Sequence, residues 1–244
     1  KGDNIVVNEA CQVKVLDFGL ARLINPAAGE RMSAYVVTRW YRAPEIVLGI
    51  PYTNKVDVWS IGCIIAELIN HQVLFPGMDR TRQWAKIVNV LGSPSEQFIS
   101  QLPERIATAV RSINRVPRRP IEEIVPDHNF LQDTERPGSY LTADNARNLI
   151  SKMLEIDPNE RYSVAEALRH PYVRVWYKEE EVNAPLAGDG YDRDLDEEDL
   201  TLEELKTLIF EEVKRFEKTH DVFGDACTDS ALHSASDLLY STDD

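Results

Sequence analysis

Asn4-Ile5-Val6-Val7-Asn8-Glu9-Ala10-Cys11-Gln12-Val13-Lys14-Val15-Leu16-Asp17-Phe18-Gly19 is the stretch on which the reading of this chain turns. Residues 4–7 and 12–16 are short runs rich in β-branched side chains, joined by Asn8-Glu9-Ala10-Cys11. Restricted side-chain rotation favours extended backbone in both runs, so the pattern predicts a β-hairpin. The first strand begins at Asn4 and the second delivers Asp17-Phe18-Gly19, which puts an amide and a carboxylate at adjacent strand ends.

Beyond the hairpin no period survives from residue 20 to 42, and Pro26 and Gly29 punctuate a long loop of the kind that is usually functional or disordered. After Pro44 the character becomes helical. Residues 56–69 are apolar nearly all round, which predicts a central buried helix. Residues 80–91 carry Trp84, Ile87, Val88 and Leu91 at helical spacing. Ser93-Pro94-Ser95-Glu96 reads as a capping box with proline at the first helical position. Residues 114–140 are Pro-rich and read as irregular; helices resume at 142–155 and after a second capping box, Ser163 to Glu166. Thr201 opens a last helix with an apolar stripe of Leu202, Leu205, Leu208, Ile209, Val213 and Phe216, and residues 220–244, rich in Ser and Asp, read as a disordered tail. There are no internal repeats.

The 244 residues include 27 Lys and Arg against 41 Asp and Glu, a net charge of −14. Residues 1–177 carry 21 basic and 20 acidic side chains, whereas residues 178–244 carry 6 and 21. That asymmetry argues against nucleic acid as a partner and for an acidic extension that meets basic ones. At 43% hydrophobic and 28% charged, the composition is that of an ordinary globular protein. Cys11, Cys63 and Cys227 lie far apart, which disfavours a disulfide framework or zinc module, and the histidines have no ligand spacing. Val58 to Ile69 is too short to cross a bilayer and contains Glu67, so no membrane association is expected. No signal peptide is expected, and the chain opens without Met, which places its expected natural start upstream.

Lys1-x-x-Asn4, Asp17-Phe18-Gly19 and Ala43-Pro44-Glu45 follow one another on the hairpin, the loop after it and a helix entry. Each is weak alone: Asp17 suits a turn before glycine, and Asn4 a strand edge. Together they resemble the C-terminal half of a protein-kinase catalytic domain. The fold implied is a mainly α C-lobe with a small β-hairpin at the catalytic cleft, followed by a C-terminal extension. The implied cofactors are ATP and Mg²⁺. Mg²⁺ takes hard oxygen ligands, which the resemblance assigns to Asn4 and Asp17, with Lys1 as a point charge beside the transferred phosphate.

Ser33-Ala34-Tyr35-Val36-Val37-Thr38-Arg39-Trp40-Tyr41-Arg42-Ala43-Pro44-Glu45 resembles the activation lip of the MAP kinases. Their dual phosphoacceptor pattern is usually Thr-x-Tyr; here the acceptors are Ser33 and Tyr35. The resemblance implies that Arg22, Arg39 and Arg42 pair with those phosphates, and that Thr38 and the Arg39 region shape a pocket for proline after the phosphorylated residue. Asp57 resembles the carboxylate that braces the catalytic loop, and Glu45 and Arg161 the family's buried ion pair. Asp57 could also serve the helix start, and the pair could be surface charges. Lys152 to Pro158 and Tyr191 to Glu212 are most similar to the c-Jun N-terminal (stress-activated) kinases, and the Ser-x-Tyr lip suggests a divergent, nematode-like member. Asp192, Asp196 and Glu197 lie in an acidic run at the family's common docking site, where basic docking motifs would bind.

These resemblances divide the chain into a partial kinase domain at 1–173, an acidic docking segment and packing helix at 174–219, and the tail at 220–244. They imply a stress-response, proline-directed serine/threonine kinase of cytoplasm and nucleus. Its implied partners are an upstream dual-specificity MAP kinase kinase, and protein substrates and phosphatases with basic docking motifs. The glycine-rich loop, strand lysine, hinge and catalytic aspartate are not in the sequence, so the expectation is a fragment of an active parent, inactive by itself. The competing expectation is a non-catalytic, pseudokinase-like scaffold that presents the acidic patch.

Overall fold

A computed structural model describes residues 1–19, 21, 39–130, 139–185 and 200–220. The chain divides into two compact units, Lys1–Pro185 and Leu186–Asp244. In the first, a 3₁₀ turn at Gly2–Asn4 leads into β1 (Ile5–Val7), which pairs antiparallel with β2 (Val13–Val15) in the register Ile5 to Val15 and Val7 to Val13. Among the described residues this is the whole sheet. The turn is closed by Asn8, whose carbonyl accepts from Cys11 N–H (2.9 Å) and whose side-chain oxygen accepts from Gln12 N–H (2.9 Å). Cys11 takes a left-handed φ of 59° to complete it.

Helices follow: α1 (Pro44–Leu48), α2 (Lys55–Asn70), α3 (Arg80–Leu91), α4 (Glu96–Ser100), α5 (Glu104–Arg111), α6 (Ile121–Ile124), α7 (Ala143–Met153), α8 (Val164–Arg169) and α9 (Glu179–Val182). Pro44 starts α1, where its missing N–H costs nothing, and Gly49 ends it at φ 71°. The core is built on α2. Trp59, Cys63 and Ala66 are buried with Phe75, Trp84, Ile87 and Leu91, and the rings of Trp59 and Phe75 stack at 5.6 Å. Val58, on another side of α2, packs with Leu149 and Met153 of α7. A Cβ at Gly62 would lie 3.0 Å from Met153 Cβ, so glycine permits the close α2–α7 crossing.

Three expectations change. The helix expected to be apolar nearly all round is buried on its α7 and Phe75 sides only; Ile61 (47%) and Leu68 (70%) stay exposed. The cap predicted at Ser93 moves to Ser95, whose hydroxyl accepts from Phe98 N–H at 3.2 Å. Ser93 is committed elsewhere: its N–H donates to the Val116 carbonyl (2.8 Å), and its hydroxyl accepts from Val116 N–H (3.0 Å). The Pro-rich stretch is less irregular than expected, with α6 and a 3₁₀ turn at Asp127–Asn129 following Pro120 and Pro126. Buried Arg147 of α7 holds this stretch through the Val125 carbonyl (2.8 Å), Asp127 and the Phe130 ring.

In the second unit, α10 (Leu202–Glu217) opens with a capping box: Thr201 N–H donates to the Glu204 carboxylate (2.8 Å), and Glu204 N–H donates to the Thr201 hydroxyl (3.4 Å). Of the tail predicted at 220–244, residues 221–244 lie outside the described residues. Among the described residues, no helix is long and apolar enough to cross a membrane.

Candidate active site

Antiparallel pairing brings Asn4 and Asp17 together. Leu16 N–H donates to the Asn4 carbonyl (2.8 Å), which sets Asn4 and Asp17, the residue after Leu16, at one edge of the hairpin. The Asn4 side-chain Nδ2 then donates to Asp17 Oδ2 at 3.3 Å. Asp17 holds a left-handed φ of 65°, a strained conformation for a residue with a Cβ. Its other oxygen accepts from Gly19 N–H at 3.4 Å, and a Cβ on Gly19 would stand 3.3 Å from that oxygen. Glycine here leaves the carboxylate open to solvent. Asn4 N–H also donates to the Lys1 carbonyl (3.0 Å), which ties Lys1 to the same turn, and the Lys1 ammonium lies 3.5 Å from Asp3. The donor set is a carboxylate and an amide oxygen, both hard ligands suited to Mg²⁺. Among the described residues, no three His, Cys, Asp or Glu side chains cluster to hold a metal by themselves.

A second group of contacts holds residues 39–42. Arg42 N–H donates to the Arg39 carbonyl (3.0 Å), folding the segment into a turn. The Ser60 hydroxyl of α2 donates to the Tyr41 carbonyl (2.8 Å), and the Tyr41 hydroxyl donates to Glu67 of the same helix (2.7 Å). Burial and the adjacent Glu67 push the Tyr41 hydroxyl well above its ordinary pKa, so it stays a donor. Gln83 of α3 donates from Nε2 to the Trp40 carbonyl at 3.3 Å. Burial, and then the positive charge of Arg39, lower the pKa of Arg42, which places two cations within each other's field.

Glu45 and Arg161 form a bidentate pair (2.7 and 2.9 Å) with both side chains fully buried. Arg161 also donates to the carbonyls of Lys55 (2.8 Å) and Glu155 (3.0 Å) and lies over the Trp59 ring at 5.1 Å. Each of the three guanidinium nitrogens thereby donates, as such a buried charge requires. Asp57 sits in the first turn of α2, where a carboxylate suits the helix dipole, and partial desolvation raises its pKa. Arg22, Ser33, Tyr35, Thr38, Asp192, Asp196 and Glu197 lie outside the described residues.

Three contributors were not singled out from sequence: Ser60, Glu67 and Gln83. Glu67 and Gln83 left a trace. Glu67 interrupts an apolar helix, and Gln83 stands one turn before Ile87 on the buried stripe of α3. A polar residue on a buried face needs a partner, and that is the signal.

Residues 1–173 match the protein kinase domain family. Over 223 residues, 91% of this chain, the sequence is 57% identical to GLH-binding kinase 1 of Caenorhabditis elegans. It is 48% identical over 217 residues (89% of the chain) to the stress-activated protein kinase JNK of Drosophila melanogaster. It is 44% identical over 216 residues (88%) to the stress-activated protein kinase JNK of Suberites domuncula. The chain covers 57%, 57% and 58% of the lengths of these three proteins.

Proposed function

Because the chain belongs to the protein kinase family, with stress-activated JNK kinases among its relatives, we propose that it supplies the metal-binding and substrate-binding half of a proline-directed serine/threonine kinase of the MAP kinase type. The observation that carries this reading is the meeting of the Asn4 amide and the Asp17 carboxylate at 3.3 Å, with Asp17 in a strained backbone conformation. Asn4 and Asp17 would hold Mg²⁺, and Lys1 would present its ammonium to the phosphate that moves. When bound there with ATP, the metal neutralises charge on the triphosphate and orients it. The chain's own task is to keep the Asp17 carboxylate and the Asn4 side-chain amide together at the hairpin edge, with glycine at position 19 leaving room beside Asp17 Oδ1.

Substrate choice and activation belong to the same proposal. The Arg39–Arg42 turn, with Thr38, would form the pocket for the residue after the acceptor, and proline would fit because it needs no backbone hydrogen bond. Phosphates on Ser33 and Tyr35, each close to two negative charges, would be held by Arg22, Arg39 and Arg42. Arg39 and Arg42 lie within each other's field, and a phosphate between them would relieve that repulsion. An upstream dual-specificity kinase would add those phosphates. Asp192, Asp196 and Glu197 would draw in basic docking segments of substrates and phosphatases.

The test is phosphate transfer from ATP to a Ser-Pro peptide by the full-length protein, with Asp17→Ala as the comparison. Loss of a metal ligand is expected to cut transfer by at least roughly 100-fold. Equal transfer by the two forms would refute the proposal.

A further inference from the structure

Gln83 is completely buried on α3, yet its side chain is a primary amide that needs both an acceptor and a donor. It has one of each. Gly77 N–H donates to Gln83 Oε1 at 3.1 Å, and Gln83 Nε2 donates to the Trp40 carbonyl at 3.3 Å. The orientation of the amide is forced, because Gly77 offers only an N–H and Trp40 only a carbonyl oxygen. Gly77 is itself clamped on Gln83: a Cβ there would lie 2.3 Å from Gln83 Cα and 2.5 Å from its backbone nitrogen. Only glycine permits that approach, so the loop before α3 sets the Gln83 amide, which in turn reaches the turn at residues 39–42. The next carbonyl along, that of Tyr41, is held from the opposite helix by Ser60 (2.8 Å). Consecutive carbonyls of one turn are thus pinned from two helices.

We infer that Gln83 is a positioning residue for substrate selection: by fixing the Trp40 carbonyl it sets the shape of the 39–42 turn against which the residue after the phosphoacceptor packs. This rests on the proposed reading of the 39–42 turn as part of the pocket for that residue. The Gln83 side chain bonds to Gly77 and Trp40 and acts through the turn, so its loss should weaken peptide binding while leaving the chemical step intact.

Gln83→Glu is the selective variant, since it keeps the oxygen facing Gly77 and replaces the donor to Trp40 with a second acceptor. Gln83→Met is the uncharged companion should a buried carboxylate unfold the protein. Steady-state transfer by the full-length protein would be measured with peptides that differ only in Pro or Ala after the acceptor serine. Either folded variant is expected to raise the KM for the Ser-Pro peptide about 5- to 10-fold, with kcat within about twofold and the KM for ATP unchanged. The preference for Ser-Pro over Ser-Ala should shrink by a similar factor. Unchanged peptide KM and preference, with only a lower melting temperature, would reduce Gln83 to a packing residue and overturn the inference. Equal use of both peptides by the unaltered protein would remove the pocket reading itself, and the inference with it.

Discussion

Glu45 and Arg161 hold each other in the core only while both are present, because either charge alone would be stranded without water. Their bidentate bonds of 2.7 and 2.9 Å, with both side chains at 0% exposure, define the case. Glu45→Gln should therefore destabilise the folded chain by about 3–5 kcal/mol in chemical denaturation. Replacing both partners together, with Glu45→Leu and Arg161→Met, should cost clearly less than the sum of the single changes. Additive losses would mean that the two charges are not energetically coupled. The pair was legible in the sequence through its resemblance to a family pattern. The further bonds of Arg161 to the Lys55 and Glu155 carbonyls were not, since nothing in residue types marks which carbonyls a buried guanidinium will find.

At the scale of elements, the junction after α8 depends on one histidine. His170 Nδ1 accepts from Tyr172 N–H (3.2 Å), so the proton sits on Nε2, which faces the Asn148 side-chain oxygen of α7 at 3.1 Å. Burial lowers the His170 pKa below its ordinary 6.5. Its neutral form therefore contributes stability that is present above pH 6.5 and is lost as pH falls below that value towards the folded pKa. Unfolding free energy should drop between pH 7 and 5, and His170→Gln should flatten that drop; parallel pH profiles would show that the contact is irrelevant. The capping box at Ser163 and Glu166 adds a second check, with Ser163→Ala expected to cost about 1 kcal/mol in thermal or chemical unfolding. Elements with several turns of period were readable in advance: the predicted 80–91 is α3, and 56–69 falls one residue short of α2 at each end. Shorter ones were not. α6 is four residues, barely more than one turn, so it has no period to detect. The Ser93-Pro94-Ser95-Glu96 string offers two serines as caps, and the choice is made by Val116, 23 positions away. Of the candidate site, Asn4 and Asp17 could be read because hairpin geometry is local. Gln83 could not, because its partner Trp40 is 43 positions distant.

Taken whole, the first unit leaves its hairpin open to water. Val7 (66%), Val13 (62%), Val15 (59%) and Phe18 (70%) are all exposed, an apolar surface at the very edge that carries Asn4 and Asp17. Exposed patches of that kind promote association. The chain expressed as residues 1–244 should bind a hydrophobic dye and self-associate in light scattering. Val7 and Val13 face one another across the strands, so Val7→Lys with Val13→Glu should reduce both signals through an opposed charge pair, without loss of helical circular dichroism. If dye binding and association persist unchanged, the hairpin is not their source. The acidic segment from residue 178 onward makes a separate, electrostatic prediction. Asp192→Lys, Asp196→Lys and Glu197→Lys together should weaken binding of a basic docking peptide at low salt, measured by fluorescence anisotropy, and equal affinity would remove the docking proposal.

One measurement tests the proposed metal ligands directly. Mn²⁺, added with ATP to the isotope-labelled full-length protein, broadens the nuclear resonances of groups near the ion. We expect broadening of the Asn4 side-chain amide and of residues 16–19, lost in Asp17→Ala. Broadening centred elsewhere, or unaltered by Asp17→Ala, would contradict the assignment of Asn4 and Asp17 as the magnesium ligands.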